Sequence, residues 1–406
     1  MSHLANTALL QRPADSSQSR AAAPATSGNG RFFASQSFHF QTLRALTDIP
    51  AGGADTGEVF EAIKAIQDGD QLSWFAGWTA LAERVLALAE RTMDPVSKGG
   101  ALMRAHTYFR TAEFFLPPDD PKRPVSWQKN TDCFYRALGA LGVEHERLRA
   151  AYGDSQLNAT YFPGPAGAGE KPLLMFVGGF DSTLEELYLM LVPAAHARGY
   201  SVLTYEGPGQ GAALREQGLR FLPEWERPNT AVLEAFLSTH ERPRQIVLIG
   251  MSMGGYLAPR AAAFEPRIDG VVAFDVCFDL GECAERIFAA AANPLAWQNP
   301  DFVWAVGNAR WTFGTTDIDA TKQAARAYTL APVADRIRQH VLILEGQADH
   351  FIPQHQTRQF ETALVNARSV TVRSFDRASG GAEHCQLGAI TLVHAAIFDW
   401  LAATFA

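Results

Sequence analysis

No stretch of this 406-residue chain has the long, uninterrupted apolar run that a membrane span requires. No block of lysine and arginine occurs, and the formal net charge is −8. Nucleic acid and anionic membrane surfaces are therefore not expected partners. Cysteine is scarce, and Cys133, Cys277, Cys283 and Cys385 show neither CxxC pairing nor ligand spacing. They read as free thiols in a reducing compartment. The first thirty residues lack the basic start and apolar core of a secretory signal. Asp15 and two prolines also fit an organelle transit peptide poorly, so residues 1–30, rich in Ala, Ser, Pro and Gln, read as a disordered tail. The Gly-x-x-x-x-Gly-Lys pattern of a phosphate loop is missing, as is any His/Cys/Asp/Glu set at metal-ligand spacing. The expectation is a cytoplasmic protein with no cofactor and no metal.

Hydrophobic residues make up 47% of the chain and charged residues 19%, which supports a sizeable core. Residues 31–142 read as a helical domain covering a substrate. Apolar residues recur at helical spacing in 58–67 (Val59, Ile63, Ile66), 74–91 (Trp78, Leu81, Val85, Leu88) and 98–116 (Leu102, Ala105, Phe109, Ala112), with a further helix at 126–141. The texture then changes. Segments 144–151 and 156–162 around Gly153-Asp154 predict a hairpin. Continuous apolar runs follow at 173–177, 201–205, 246–249, 270–274, 341–344 and 369–374, with helical segments between them. Together these predict an α/β fold: an eight-stranded, mostly parallel sheet with helices on both faces, spanning 143–406. The rhythm breaks once, at 279–339, where a helical insert rich in Trp and Phe stands in the position of a lid.

Within the run ending at Ile249 comes Gly250-Met251-Ser252-Met253-Gly254, followed by a helical segment. Strand, tight turn and helix are the context in which Gly-x-Ser-x-Gly forms a nucleophile elbow, making Ser252 the candidate nucleophile. In parallel sheets reactive groups gather at the carboxyl ends of strands. The run at 341–344 leads to Asp349, and that at 369–374 leads to His384 on a glycine-flanked loop. A serine hydroxyl needs an imidazole to take its proton, and the imidazole needs a carboxylate to orient it. Ser252, Asp349 and His384 supply these groups in the order expected on such a sheet. His350 is a rival base, and Asp275 and Asp279 are rival acids. After 173–177, Gly178-Gly179-Phe180 lets the backbone approach a ligand, so the N–H groups of Phe180 and Met253 are candidate oxyanion donors. Glu206-Gly207-Pro208-Gly209-Gln210-Gly211 is a second close-approach loop. Gly179, Glu206, Tyr108, Trp304 and Trp311 are candidate substrate contacts.

These residues resemble the α/β-hydrolase superfamily. The Gly-Pro-Gly-Gln-Gly loop, the elbow through Gly255, Ala261 to Arg267, and Gly380 to Leu387 narrow the likeness to a branch with an N-terminal helical domain. That branch includes bacterial 2,6-dihydroxypseudooxynicotine hydrolase and fungal hydrolases that shorten polyketide pigment precursors. The resemblance implies a Ser-His-Asp hydrolase with its site between the helical module and the sheet, carbon–carbon cleavage beside a ketone, and a homodimer. The sequence departs from many hydrolases in having no His-Gly pair before the oxyanion loop. The expected substrate is a small apolar, aromatic or polyketide-like molecule cleaved at a carbon–carbon or ester bond. Acyl transfer or cyclisation, a non-catalytic binding role, and short-peptide hydrolysis stand as alternatives.

Overall fold

The structure is a computed structural model that describes residues 31–405, so the expected tail at 1–30 lies outside the described residues. Five helices come first: α1 (Gln36–Thr47), α2 (Thr56–Lys64), α3 (Gln71–Arg91), α4 (Pro95–Glu113) and α5 (Lys122–Leu141). Asp55, Asp70 and Asp94 cap α2, α3 and α4 by accepting a backbone N–H from Gly57, Leu72 and Ser97. Those caps start each helix two or three residues earlier than apolar spacing alone indicates. α1 has no counterpart among the expected helices. Its buried face carries Gln41, Thr42 and Arg44 beside Phe38 and Phe40, so it presents no clean apolar stripe.

The hairpin β1 (Glu146–Tyr152) and β2 (Ser155–Phe162) opens the sheet. It continues through β3 (Leu173–Val177), α6 (Leu184–His196), β4 (Val202–Tyr205), α7 (Gly211–Arg215), α8 (Glu226–Leu237), β5 (Ile246–Met251), α9 (Gly254–Ala262) and β6 (Gly270–Phe274). The insert holds α10 (Leu280–Phe288), α11 (Pro300–Phe313) and α12 (Ile318–Ala325). β7 (His340–Gly346), α13 (His355–Ala363), β8 (Ser369–Phe375) and α14 (Ile390–Thr404) complete the fold. The eight strands lie in the order β1-β2-β4-β3-β5-β6-β7-β8. The β1–β2 and β2–β4 pairs are antiparallel, and all others are parallel.

Alternate residues of the central strands enter two cores, as a pleat covered on both faces requires. Met175, Leu248, Ala273 and Ile343 face α8 and α9. Phe176, Ile249, Val272 and Leu342 join the core that includes Trp74, Trp78, Phe109 and Phe134 of the helical layer. A buried charge network joins the same layers. Arg44 of α1 grips Glu186 at the start of α6 through Nε and Nη2, both at 2.5 Å, and reaches Asp181 at 3.0 Å. Arg110 of α4 pairs with Glu186 at 3.1 Å and with Asp48 at 3.3 Å.

The insert leaves and rejoins the sheet at one place. Asp279 pairs with Thr329 in an antiparallel bridge, and the Leu280 N–H donates to the Tyr328 carbonyl. Among the described residues no helix is long and apolar enough to cross a membrane.

Candidate active site

Ser252 follows β5 with a backbone φ of +62°, a left-handed conformation that costs a non-glycine residue roughly 1–3 kcal/mol. The turn holds because its neighbours lack side chains. A Cβ on Gly250 would stand 1.9 Å from the Gly254 carbonyl oxygen, and one on Gly255 equally close to that of Asp275. The Ser252 N–H donates to the Phe274 carbonyl of β6, locking the elbow to the next strand. With helix and strand pinned so close, the hydroxyl projects from the end of the sheet.

Two loops from later strands meet it there. His384 Nε2 lies 2.8 Å from Ser252 Oγ, and Nδ1 lies 2.6 Å from Asp349 Oδ2. The other oxygen of Asp349 accepts the N–H groups of Phe351 and Ile352, which fixes the carboxylate behind the ring. With Nδ1 facing a carboxylate, Nε2 of the neutral ring carries the lone pair that can receive the serine proton. Burial pulls the His384 pKa down, but the charge and hydrogen bond of Asp349 outweigh it and hold the ring well above its ordinary value. Asp349 shows the reciprocal shift. Burial raises its carboxyl, but the His384 charge and the three N–H donors bring it below the usual range.

The rivals occupy other stations. Asp275 lies 3.6 Å from His384 Nδ1, and its oxygens accept the Cys385 N–H at 2.6 Å and Gln386 Nε2 at 2.9 Å. Cys385 and Gln386 both have left-handed backbone, so Asp275 holds a strained turn beneath the histidine. Burial and the nearby Asp349 charge push its carboxyl up to about 7. Asp279 caps α10 through the Glu282 N–H. His350 is a cavity wall packed on Phe40 and Phe351, and burial followed by the His384 charge lowers it to about 3. Among the described residues, Asp275, His384 and Cys385 form the one trio with metal-binding atoms mutually within 4.8 Å. Asp275 and His384 are already committed to the partners above, and burial raises the Cys385 thiol to about 11.

A Cβ on Gly179 would lie 2.6 Å from that of Ser252, so only glycine lets the loop after β3 pass this close to the hydroxyl. Phe180 and Met253 both line the cavity, and among the described residues neither N–H has a protein partner. The cavity, of about 220 Å³, reaches from Ser252 and His384 to two walls. One is the face of α1 bearing Ser37, Phe40, Gln41 and Arg44, and the other is insert residues such as Leu280, Ile287, Ala309 and Phe313. Trp304 lines it, stacked on Phe114 and donating its indole N–H to the Phe114 carbonyl.

Three expected substrate contacts lie elsewhere. Tyr108 is buried in the helical layer against Trp78, its hydroxyl held by Glu58 and the Asp55 N–H. Trp311 is occupied by the guanidinium groups of Arg123 and Arg215 and lines a separate void of about 20 Å³. Glu206 accepts the Ala212 N–H and an Asn158 amide N–H; burial and the nearby Glu185 charge raise its carboxyl to about 8. Tyr108 and Glu206 are buried with their polar atoms bonded within the protein, and Trp311 is half-buried with its ring packed by two guanidinium groups. The wall formed by α1 went unforeseen, because polar residues face the cavity where an apolar stripe would have signalled burial.

Residues 173–387, more than half of the chain, match the family described as the alpha/beta hydrolase family. The chain belongs to the α/β-hydrolase family. Two fungal relatives extend the likeness over the helical region. The hydrolase acrC of Aspergillus aculeatus is 32% identical over 418 residues, covering 91% of this chain and 97% of its own. The 20-hydroxy-prefusarin hydrolase of Gibberella moniliformis is 30% identical over 416 residues, covering 93% and 98%. The crystal structure of a 2,6-dihydroxy-pseudo-oxynicotine hydrolase superimposes with a TM-score of 0.69 at 22% identity, over 88% of this α/β-hydrolase and 94% of that chain. That last likeness is one of fold. The branch indicated by the glycine loops is the one found, and this α/β-hydrolase is an enzyme.

Proposed function

We propose that this α/β-hydrolase cleaves an acyl bond through Ser252, with His384 as general base and Asp349 as the carboxylate that orients it. The observation that carries the reading is the unbroken chain from Ser252 Oγ through His384 to Asp349, at 2.8 and 2.6 Å, opening onto the cavity. Ser252 Oγ attacks the substrate carbonyl as its proton passes to His384 Nε2. The oxyanion that forms is received by the N–H groups of Phe180 and Met253. Collapse of the tetrahedral species expels the leaving group, which takes the proton from His384, and water then releases the acyl group from the serine by the same steps.

The apolar wall of the insert favours a small apolar, aromatic or polyketide-like substrate. The 20-hydroxy-prefusarin hydrolase, similar over nearly its whole length, is named for a substrate of its own and supports a hydrolase acting on a natural product. Carbon–carbon cleavage beside a ketone and ester cleavage draw on the same groups; the former needs a leaving carbanion stabilised as its enol. A second reading, acyl transfer to a hydroxyl or amine of the same substrate, is supported by the insert arching over Ser252, where an internal nucleophile can compete with water.

Treatment with a fluorophosphonate, followed by peptide mass spectrometry, is the test. An adduct on Ser252 is expected, and its absence under conditions that label a known serine hydrolase sinks both readings. Turnover of p-nitrophenyl esters against a panel of β-diketones then separates ester from carbon–carbon cleavage, and cyclised product would mark acyl transfer.

A further inference from the structure

The Glu-Gly-Pro-Gly-Gln-Gly loop after β4 carries a buried side chain to which the reaction above assigns nothing. Gln210 is 2% exposed. Its Nε2 donates to the carbonyl oxygens of both Gly178 and Gly179, each at 2.8 Å. Its Oε1 accepts the Gly207 N–H at 3.1 Å, so the amide is oriented by its own loop and cannot turn over without losing all three bonds. The loop is packed to hold it there. A Cβ on Gly207 would lie 2.5 Å from the Trp225 ring, and one on Gly211 would overlap the Glu206 carboxylate, which itself accepts the Ala212 N–H.

The consequence follows from peptide geometry. The Gly179 carbonyl and the Phe180 N–H belong to one planar unit, which is trans, as no cis bond occurs among the described residues. In a trans peptide the C=O and N–H point in opposite directions. A donor that fixes the Gly179 oxygen on one side therefore aims the Phe180 N–H to the other. Ser182 completes the arrangement, since its Oγ accepts the Gly179 N–H at 3.0 Å and its carbonyl accepts the Gly211 N–H. The Gly179 N–H and both glycine carbonyls are thus occupied, while the Phe180 N–H is left for a ligand beside Ser252.

We infer that Gln210 is a positioning residue for the oxyanion site: it sets the rotation of the Gly179–Phe180 peptide and thereby presents the Phe180 N–H to the substrate oxygen. This rests on the serine-hydrolase reading above. A preorganised donor contributes only when charge develops on the oxygen, so its misalignment lowers kcat and leaves ground-state binding in place. Met at this position keeps the length and removes both donors. Glu keeps the shape and the acceptor for Gly207 but sets an acceptor against two carbonyls.

The experiment compares wild type with Gln210→Met and Gln210→Glu. It measures p-nitrophenyl ester kinetics, thermal midpoint, fluorophosphonate labelling and inhibition by an aryl trifluoromethyl ketone, which binds serine hydrolases as an oxyanionic hemiketal. The expected result is a kcat lowered about 10–100-fold, short of the ~10²–10³ for outright loss of a donor. Affinity for the ketone should fall by a similar factor, with KM within about twofold in a variant that still melts cooperatively. Wild-type kcat and ketone affinity in both variants would overturn the inference while leaving the serine-hydrolase reading intact. Parallel losses in KM, kcat and melting temperature would also overturn it, marking Gln210 as a general support. A wild-type enzyme that is not labelled at Ser252 removes the underlying reading, and the inference with it.

Discussion

The Nδ1 atom of His384 stands 2.6 Å from Asp349 and 3.6 Å from Asp275, so one imidazole edge faces two buried carboxylates at unequal distance. Only the nearer one is placed to accept the ring N–H, while the farther one spends its oxygens on Cys385 and Gln386. Asp349→Asn should therefore lower kcat by about 10⁴-fold through the wrong imidazole tautomer. Asp275→Asn, which keeps an acceptor for the turn, should stay within about tenfold, or roughly 1.4 kcal/mol in the barrier. Steady-state kinetics on the two purified variants decides the assignment, and the reverse ranking would move the acid to β6.

The raised pKa of His384 sets the pH dependence. The base must be unprotonated to accept the serine proton, so kcat/KM should rise with pH through an inflection above the ordinary 6.5. Stability runs the other way. A histidine raised in the folded state stabilises the protein below its unfolded pKa, and that contribution is lost as pH rises through the folded value. Thermal midpoints and kcat/KM measured from pH 5 to about 10 should show the two trends crossing.

Removing Arg44 should be costly, because Glu186 would lose its bidentate partner inside the protein. The Glu186 carboxyl is raised by burial but brought down to about 2 by Arg110 and Arg44. Arg44→Met should destabilise by about 3–5 kcal/mol in denaturant titrations. Adding Glu186→Gln should recover part of that loss, since the buried carboxylate left with Arg110 as its guanidinium partner is gone. Independent, additive losses in the double variant would show that the two residues do not act as a pair.

Tyr108 and Trp311 offer a negative control. With its hydroxyl shared between Glu58 and the Asp55 N–H, Tyr108→Phe should cost about 1.5–3 kcal/mol of stability. kcat/KM should not change. Trp311→Phe should likewise spare turnover, and a large KM effect in either variant would return that residue to the substrate site.

The insert wall should set substrate size. Ala309 is buried and lines the cavity, so Ala309→Phe places a ring in the space for the acyl group. Turnover of p-nitrophenyl octanoate should fall well below that of the acetate, at a stability cost of about 1–3 kcal/mol from overpacking. An unchanged octanoate-to-acetate ratio would mean that the chain of the substrate lies elsewhere.

Much of this was legible in the chain. Strands covered on both faces announce themselves as continuous apolar runs, and reactive groups follow their carboxyl ends, which places Ser252, Asp349 and His384 without coordinates. What stayed hidden depended on partners distant in sequence. Gln210 reads as a loop amide until Gly178 and Gly179 are brought against it. Arg44 and Gln41 break the apolar pattern of α1 because they serve the network and the cavity, so the helix escapes a search for stripes. Tyr108 and Trp311 mislead for the opposite reason. An aromatic residue declares that it will be covered, and its neighbours alone decide whether protein or substrate does the covering.

The bridge between Asp279 and Thr329 gives the α10–α12 segment a neck. Closing a segment at one stitched point costs an entropy that grows only with the logarithm of its length, so the neck tolerates inserts of different size. The candidate catalytic groups stand outside that neck, and one of the two cavity walls lies within it. A different segment tied at the same neck would present Ser252 with a different clientele, and the sheet beneath would keep its register.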